Sequence, residues 1–250
     1  MSGHSKWAQI KRQKGVNDAR RGQEFTKVGR EITVAAREGG GDPDANFRLR
    51  LAIQKAREVN MPQDNIQRAI NRGTGADKEG GQLEELLYEG YGPGGVAMMI
   101  QVLTDNRNRA AADVRNVFTR AGGNMGEAGS VAWMFDQKGL ITVELDGLSA
   151  EDAEMAAIDA GADDIQESDG VLEVYTDKAQ LDTVRKALDA QKLKIGSADL
   201  VMVPKTSMDL DEKSATSVAR LMDRLEELDD VQRVYANAEI SDEIMASIGE

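Results

Sequence analysis

The chain has 250 residues, no cysteine, one histidine and a formal net charge of -13, a length that suits two or three domains. The composition excludes disulfides, thiol nucleophiles and thiolate metal sites, and a single histidine leaves no multi-histidine metal site and no His-dependent triad unless His4 takes part. No apolar run approaches the roughly 18 to 20 residues of a membrane helix, and Met1-Ser2-Gly3-His4-Ser5-Lys6-Trp7 lacks the apolar stretch of a signal peptide, so a cytoplasmic protein with no membrane contact is expected.

The charge is distributed unevenly. Residues 1–75 hold 15 Lys+Arg against 8 Asp+Glu, residues 76–135 hold 5 against 8, and residues 136–250 hold 11 against 28. A cationic end attracts phosphate backbones by counterion release, and an acidic end is repelled by them.

Residues 1–20 are polar and basic, with too few apolar positions for a core, and read as a mobile arm ordered by a partner. A first helix is expected from Gly22 to Arg37, with Phe25, Val28, Ile32 and Ala36 on one face and Lys27, Arg30 and Arg37 on another. Gly39-Gly40-Gly41 stops it, and Asp42-Pro43 reads as a cap followed by proline at the first helical position. The second helix, ending near Val59, buries Leu49, Ala52, Ile53 and Ala56. Asn60-Met61-Pro62 repeats the cap-then-proline signal before a third helix carrying Ile66, Ala69 and Ile70.

A glycine-rich linker, 74–82, leads into a mixed region: strands at Leu83–Glu89 and Val96–Leu103, a helix at Arg109–Ala121 and a strand at Val131–Phe135. From Gly139 the pattern is strand (Leu140–Leu145), helix (Ala150–Ala160), strand (Asp164–Glu167), strand (Val171–Tyr175), helix (Lys178–Ala190), strand (Ser197–Val203). That βαββαβ order is the split-βαβ plan of ferredoxin-like folds. A last helix, Ala215–Leu228, and a strand near Val231–Tyr235 have no local partners, whereas the half unit Leu83–Phe135 lacks such elements. The predicted class is α+β: a helical N-terminal domain followed by two α/β domains, one a ferredoxin-like unit inserted into the other. The expected domains are a basic helical nucleic-acid-binding domain at 1–80, a discontinuous middle domain at 81–135 plus 206–250, and an acidic inserted domain at 136–205.

Few motifs point to chemistry. Gly90, Gly92 and Gly95 have the spacing of a dinucleotide fingerprint, but that motif must open a helix and a strand follows here, so a glycine-rich strand connection is the reading, with Tyr88 and Tyr91 available to stack on a base or a partner. Thr104-Asp105-Asn106-Arg107-Asn108-Arg109 starts a helix, where free N–H groups suit an anion. Two readings stand there: Asn106, Arg107 and Arg109 hold a phosphate or carboxylate, or Asp105 or Asn106 caps the helix and the arginines are solvated. Asp163-Asp164 and Asp229-Asp230 read as solvated turn charges rather than cation ligands, and Met155 and Met222 as core.

Several short motifs resemble those of the YebC family: Gly3-His4-Ser5-Lys6-Trp7, Gly40-Gly41-Asp42-Pro43-Asp44-Ala45-Asn46, Tyr88-Glu89-Gly90-Tyr91-Gly92-Pro93-Gly94-Gly95, Thr104 to Arg109, Gly122-Gly123-Asn124 with Gly129-Ser130-Val131, and Asp229-Asp230-Val231-Gln232. The resemblance spans essentially the whole chain. It implies three domains and no settled catalytic residues. Bacterial members are assigned as probable DNA-binding transcriptional regulators, a mitochondrial relative activates translation of a cytochrome oxidase subunit, and a ribosomal role at proline-run stalls is also held. The expected function is a non-enzymatic, DNA-binding regulator of transcription without a cofactor; the alternative is an RNA- or ribosome-binding translation factor. The expected nucleic-acid contacts are His4, Lys6, Trp7, Lys11, Arg12, Lys14, Arg20, Arg21, Lys27 and Arg30. Tyr88, Tyr91, Asn106, Arg107 and Arg109 are expected to meet RNA or a partner, and the acidic domain to face the ribosome or another protein.

Overall fold

The computed structural model describes residues 18–76, 83–168 and 170–240. Those residues form an α+β protein with seven α-helices, in two compact units: residues 136–203 form one, and the chain on either side of them forms the other.

The larger unit begins with three helices, α1 (Asp18–Gly39), α2 (Phe47–Glu58) and α3 (Gln63–Gly73). Their apolar stripes meet in one cluster: Val28, Ile32, Ala35 and Ala36 from α1, Leu49, Ala52, Ile53 and Ala56 from α2, Ile66, Ala69 and Ile70 from α3. Glycine is required at position 73, because a Cβ there would lie 2.3 Å from the Thr33 carbonyl oxygen. The cap of α2 is Asn46, not Asp42. Asn46 Oδ1 accepts from Leu49 N (3.1 Å), and its Nδ2 donates to the Ala35 and Gly40 carbonyls (2.8 Å each). One buried amide thereby ends α1 and starts α2, a double task Asp cannot perform because it has no N–H to give. Asp42 instead forms a local turn, accepting from Asp44 N. Pro62 likewise stands one position earlier than read, at the N-cap of α3, after Asn60 turns the chain with φ 59°.

The rest of this unit is a sheet. Strands β1 (Glu84–Tyr91) and β2 (Ala97–Thr104) form an antiparallel hairpin, Tyr91 opposite Ala97. The glycine run is its turn: Gly92 N donates to Val96 O, and Gly94 has φ 74°, a conformation glycine adopts without strain. After β2 come α4 (Arg107–Arg120) and β3 (Asn124–Met125). The chain later returns with β8 (Met208–Asp209), α7 (Glu212–Glu226), β9 (Val231–Ala236) and β10 (Ala238–Glu239). The strand order is β3-β1-β2-β9, and β8 pairs in parallel with β10. Met98, Ile100 and Val102 alternate onto the side where α4 (Val114, Phe118) and α7 (Val218, Leu221, Met222, Leu225) pack. Val131 to Phe135 is not the expected strand: Ala132–Met134 is a 3-10 turn, because the N–H groups of Val131 and Ala132 are taken by a carboxylate and cannot enter a ladder.

The smaller unit contains β4 (Phe135–Glu144), α5 (Ala150–Ala160), β5 (Asp164–Ser168), β6 (Val171–Asp177), α6 (Leu181–Ala190) and β7 (Lys194–Pro204), with strand order β5-β6-β4-β7. This is βαββαβ with its first and third strands central, the arrangement of a split βαβ unit. Its core holds Ile141, Val143, Leu172, Val174, Val184 and Leu188. Helix α5 buries only Ala153 and Ala157, so Met155, read as core, points outward and is 65% exposed, whereas Met222 is buried.

Candidate nucleic-acid interface

Of the expected contacts, His4, Lys6, Trp7, Lys11, Arg12 and Lys14 lie outside the described residues. Arg20 and Arg21 lie in the first turn of α1, and their side chains are outside the description.

Lys27 and Arg30 have partners within the chain. Along α1, Gln23, Lys27 and Arg30 are spaced by four and three residues and so share a face. Gln23 Nε2 donates to the Glu227 carbonyl (3.0 Å), Lys27 Nζ to the Glu226 carbonyl and Arg30 to the Asp229 carbonyl. These are carbonyls at and just beyond the C-terminus of α7, where peptide oxygens lack helical partners and the dipole is negative. A basic stripe that read as a phosphate-binding surface is here engaged in capping a neighbouring helix.

Asp230 gathers the remaining charge. It is buried, 7% exposed, and not the solvated turn residue expected. Arg30 reaches Oδ1 at 2.8 Å, Arg109 reaches Oδ2 at 3.0 Å, and Thr104 Oγ1 donates to Oδ2 at 3.0 Å. Arg109 also bonds Asp105 (2.8 Å), and that hydrogen bond holds the Asp105 carboxyl below its ordinary range against the opposing effect of burial. At the strand-to-helix junction Asn106 is the cap, accepting from Arg109 N (3.0 Å). The anion at this helix start is therefore the chain's own Asp230. Arg107 is exposed on the first turn of α4. A cleft of about 460 Å³ opens over Asp230, lined by Gln23, Arg30, Asp105, Arg109, Asp113 and Asp230 among others; with five acidic residues against two arginines in its lining, it is poorly suited to a phosphate.

The two tyrosines serve as hydrogen-bond donors to backbone. Tyr88 OH donates to Arg107 O (3.2 Å) and Tyr91 OH to Ser130 O (3.0 Å). Burial pushes the Tyr88 hydroxyl above its ordinary pKa, outweighing the nearby Arg107 and Arg115.

The sequence reading missed Glu89 and Trp133. Glu89, on β1, is 6% exposed, and its carboxylate accepts from Gly129 N (2.6 Å), Val131 N (2.7 Å) and Ala132 N (2.8 Å). Burial pushes its pKa up, but the three peptide donors more than offset this, and the net shift is downward. Trp133, at the end of the loop so fixed, is 66% exposed. The only sequence signal was an indole just after a glycine-rich stretch, Gly126 to Ser130.

Among the described residues no group of three or more His, Asp or Glu side chains could hold a metal ion, and no helix is long and apolar enough to cross a membrane.

Taken together, the chain is an α+β protein whose helical N-terminal segment is joined by the Arg30–Asp230 salt bridge and by helix capping to a mixed sheet region. A solved structure, that of a conserved hypothetical protein from Aquifex aeolicus, is similar to it with a TM-score of 0.85 and 46% identity, covering 95% of this chain and 98% of that one. The chain belongs to the TACO1/YebC family: residues 5–76 match the model of the family's N-terminal domain and residues 83–238 that of its second and third domains. It is 56% identical over 249 residues to a probable transcriptional regulatory protein of Chloroflexus aurantiacus, covering 98% of each chain. It is 54% identical over 251 residues to one from Herpetosiphon aurantiacus, covering 100% of this chain and 99% of that one.

Proposed function

We propose that the protein is a non-enzymatic, cytoplasmic regulator of gene expression that binds nucleic acid through its N-terminal module, as a DNA-binding regulator of transcription. The carrying observation is where the basic charge lies along the chain. Residues 1–21 hold six Lys+Arg against one acid, while 22–75 hold nine against seven, and in that second group Lys27 and Arg30 cap α7, Lys55 pairs with Glu31 and Arg48 with Glu38. The basic excess is greatest in the first 21 residues, and this reading assigns the phosphate contacts to His4, Lys6, Trp7, Lys11, Arg12, Lys14, Arg20 and Arg21. The names of the relatives, probable transcriptional regulatory proteins, support the regulator reading. In this division of labour residues 1–80 bind, 81–135 with 206–250 form the middle domain, and the acidic 136–205 segment meets solvent or a protein partner, since its charge is repelled by phosphates.

The second reading is an RNA- or ribosome-binding translation factor. Exposed Trp133 favours it, because an indole on a loop meets unpaired bases, which are commoner in RNA than in duplex DNA.

The test is binding against salt. Neutralising about four to six phosphates gives a log–log slope of roughly -3 to -5. Changing Lys11, Arg12 and Lys14 together to Glu is expected to weaken binding to every duplex alike, and salt-independent binding would refute the proposal. A promoter that competes about a thousandfold better than random duplex, with ribosomes inert, supports the DNA form; the reverse order supports the RNA form.

A further inference from the structure

Trp133 is the most exposed large hydrophobic residue among those described, and an unusual amount of structure fixes it there. The carboxylate of Glu89 takes three N–H groups of the loop, and its carbonyl takes a fourth, from Gly126 (2.7 Å). Val131 and Phe135 are buried on either side of the indole, and the Met134 carbonyl accepts from Lys205 N (2.9 Å). Ser130 O accepts both from Tyr91 OH and from Trp133 Nε1, at 3.0 and 3.1 Å. A carboxylate is costly to bury, yet the result of burying this one is an indole left in water. The core gains little from that indole, so the loop's rigidity serves the surface.

The geometry also selects a mode of contact. The indole N–H is already satisfied inside the loop, so the ring faces, rather than its polar edge, are what remain for a ligand. Open ring faces suit stacking, and a nucleobase with an unoccupied face is the matching surface. In a duplex each base is covered above and below by its neighbours; in RNA loops, bulges and ends it is not. We propose that Trp133 is a stacking platform for an unpaired RNA base, an inference that rests on the second, RNA-binding reading above. Glu89, Tyr91 and Ser130 are its positioning residues: they fix the ring before the base arrives, so little ordering is left to do on binding.

Fluorine NMR on protein carrying 5-fluorotryptophan tests this. The chain has two tryptophans, and the resonance missing from Trp133→Phe is that of Trp133. An RNA hairpin with a single-stranded loop is expected to shift that resonance. Trp133→Ala is expected to bind the hairpin about 5- to 150-fold more weakly and a blunt RNA duplex as well as the parent does. Trp133→Phe keeps a smaller ring and should fall between. Matched thermal denaturation shows that the variants fold. Hairpin binding with the Trp133 resonance unmoved and the alanine variant unimpaired overturns the platform and leaves nucleic-acid binding standing. Single-stranded DNA of the loop sequence shifting the resonance and competing as well as the RNA overturns the RNA assignment. Failure of the parent protein to bind any of these molecules overturns the platform and the RNA reading together, and leaves the duplex-DNA form to the promoter competition.

Discussion

Two buried carboxylates in the larger unit are stabilised in different ways. Asp230 is held by side-chain charge: Arg30 arrives from α1, Arg109 from α4, and Thr104 adds a hydroxyl from the end of β2. Glu89 is held by peptide groups, the N–H groups of Gly129, Val131 and Ala132, all from one loop. The first arrangement ties together elements far apart in sequence and depends on all of them being in place. The second shapes one segment, replacing the ladder that would have made Val131 to Phe135 a strand. A carboxylate met by guanidinium groups joins elements distant in sequence; one met by backbone sets the conformation of a loop. Removing Asp230 should therefore be felt across the unit, and removing Glu89 chiefly at Trp133.

The largest expected effect is that of Asp230→Ala. Arg30 has a side chain only 15% exposed and would be left beside a void, at a cost of about 3 kcal/mol. Arg109, about half exposed, contributes little to that loss. Urea denaturation measures the change, and a cost no greater than that of a Glu89 variant would break the comparison. Glu89→Gln comes next, at about 2 kcal/mol, because an amide NH2 would face peptide N–H donors. Its signature should be local: a broadened or shifted Trp133 signal in fluorine NMR, with the helical segment unaffected.

Acid titration sharpens the contrast. The folded Glu89 carboxyl lies below its unfolded value, so its stabilisation is present above the ordinary carboxylate range and is lost as pH falls through the folded value. Midpoints of thermal unfolding should fall on acidification in the parent protein and fall less steeply in Glu89→Gln. An identical acid profile for the two would mean that Glu89 carries no charge-dependent stability. Asp105, also held low by Arg109, adds to the acid limb in both proteins and cancels in the difference.

The smallest effect is expected at Lys27→Ala, about 0.5 to 1 kcal/mol from the lost cap of α7, with nucleic-acid affinity unchanged. An affinity loss as large as that of the Lys11, Arg12 and Lys14 replacement would place Lys27 on the phosphates instead.

The main elements were legible because each has a local cause. The 3.6-residue stripe of α1 (Val28, Ile32, Ala36) and the alternation of β2 are written in consecutive residues, and Ala150–Ala160 was read to the residue. Among the strands of the described residues, the two-residue β3, β8 and β10 escaped, since two residues hold no periodicity to read. The alternative caps failed for a related reason. Asp42-Pro43 and Asn46 both carry capping side chains, and the choice went to Asn46 because its amide also reaches Ala35 and Gly40, a contact across the turn that no local rule includes. Met155 and Met222 have the same composition signal and opposite burial, since only the packing of α5 on Ala153 and Ala157 decides which face of that helix is inside.

Charge shows the division most clearly. The sequence alone determined how much basic charge the first third carries, that the last third is acidic, and that the chain alternates in the α+β manner, since these follow from residue identity and period. Which cations are available to a ligand was decided only by tertiary structure. Lys27 and Arg30 share a face with Gln23, and that face meets the carbonyl end of α7 and Asp230, some 200 positions further along the chain. Glu89 and the loop it holds are likewise about 40 residues apart. Electrostatic partners of that kind are chosen by distance in space, and linear spacing carries no record of it.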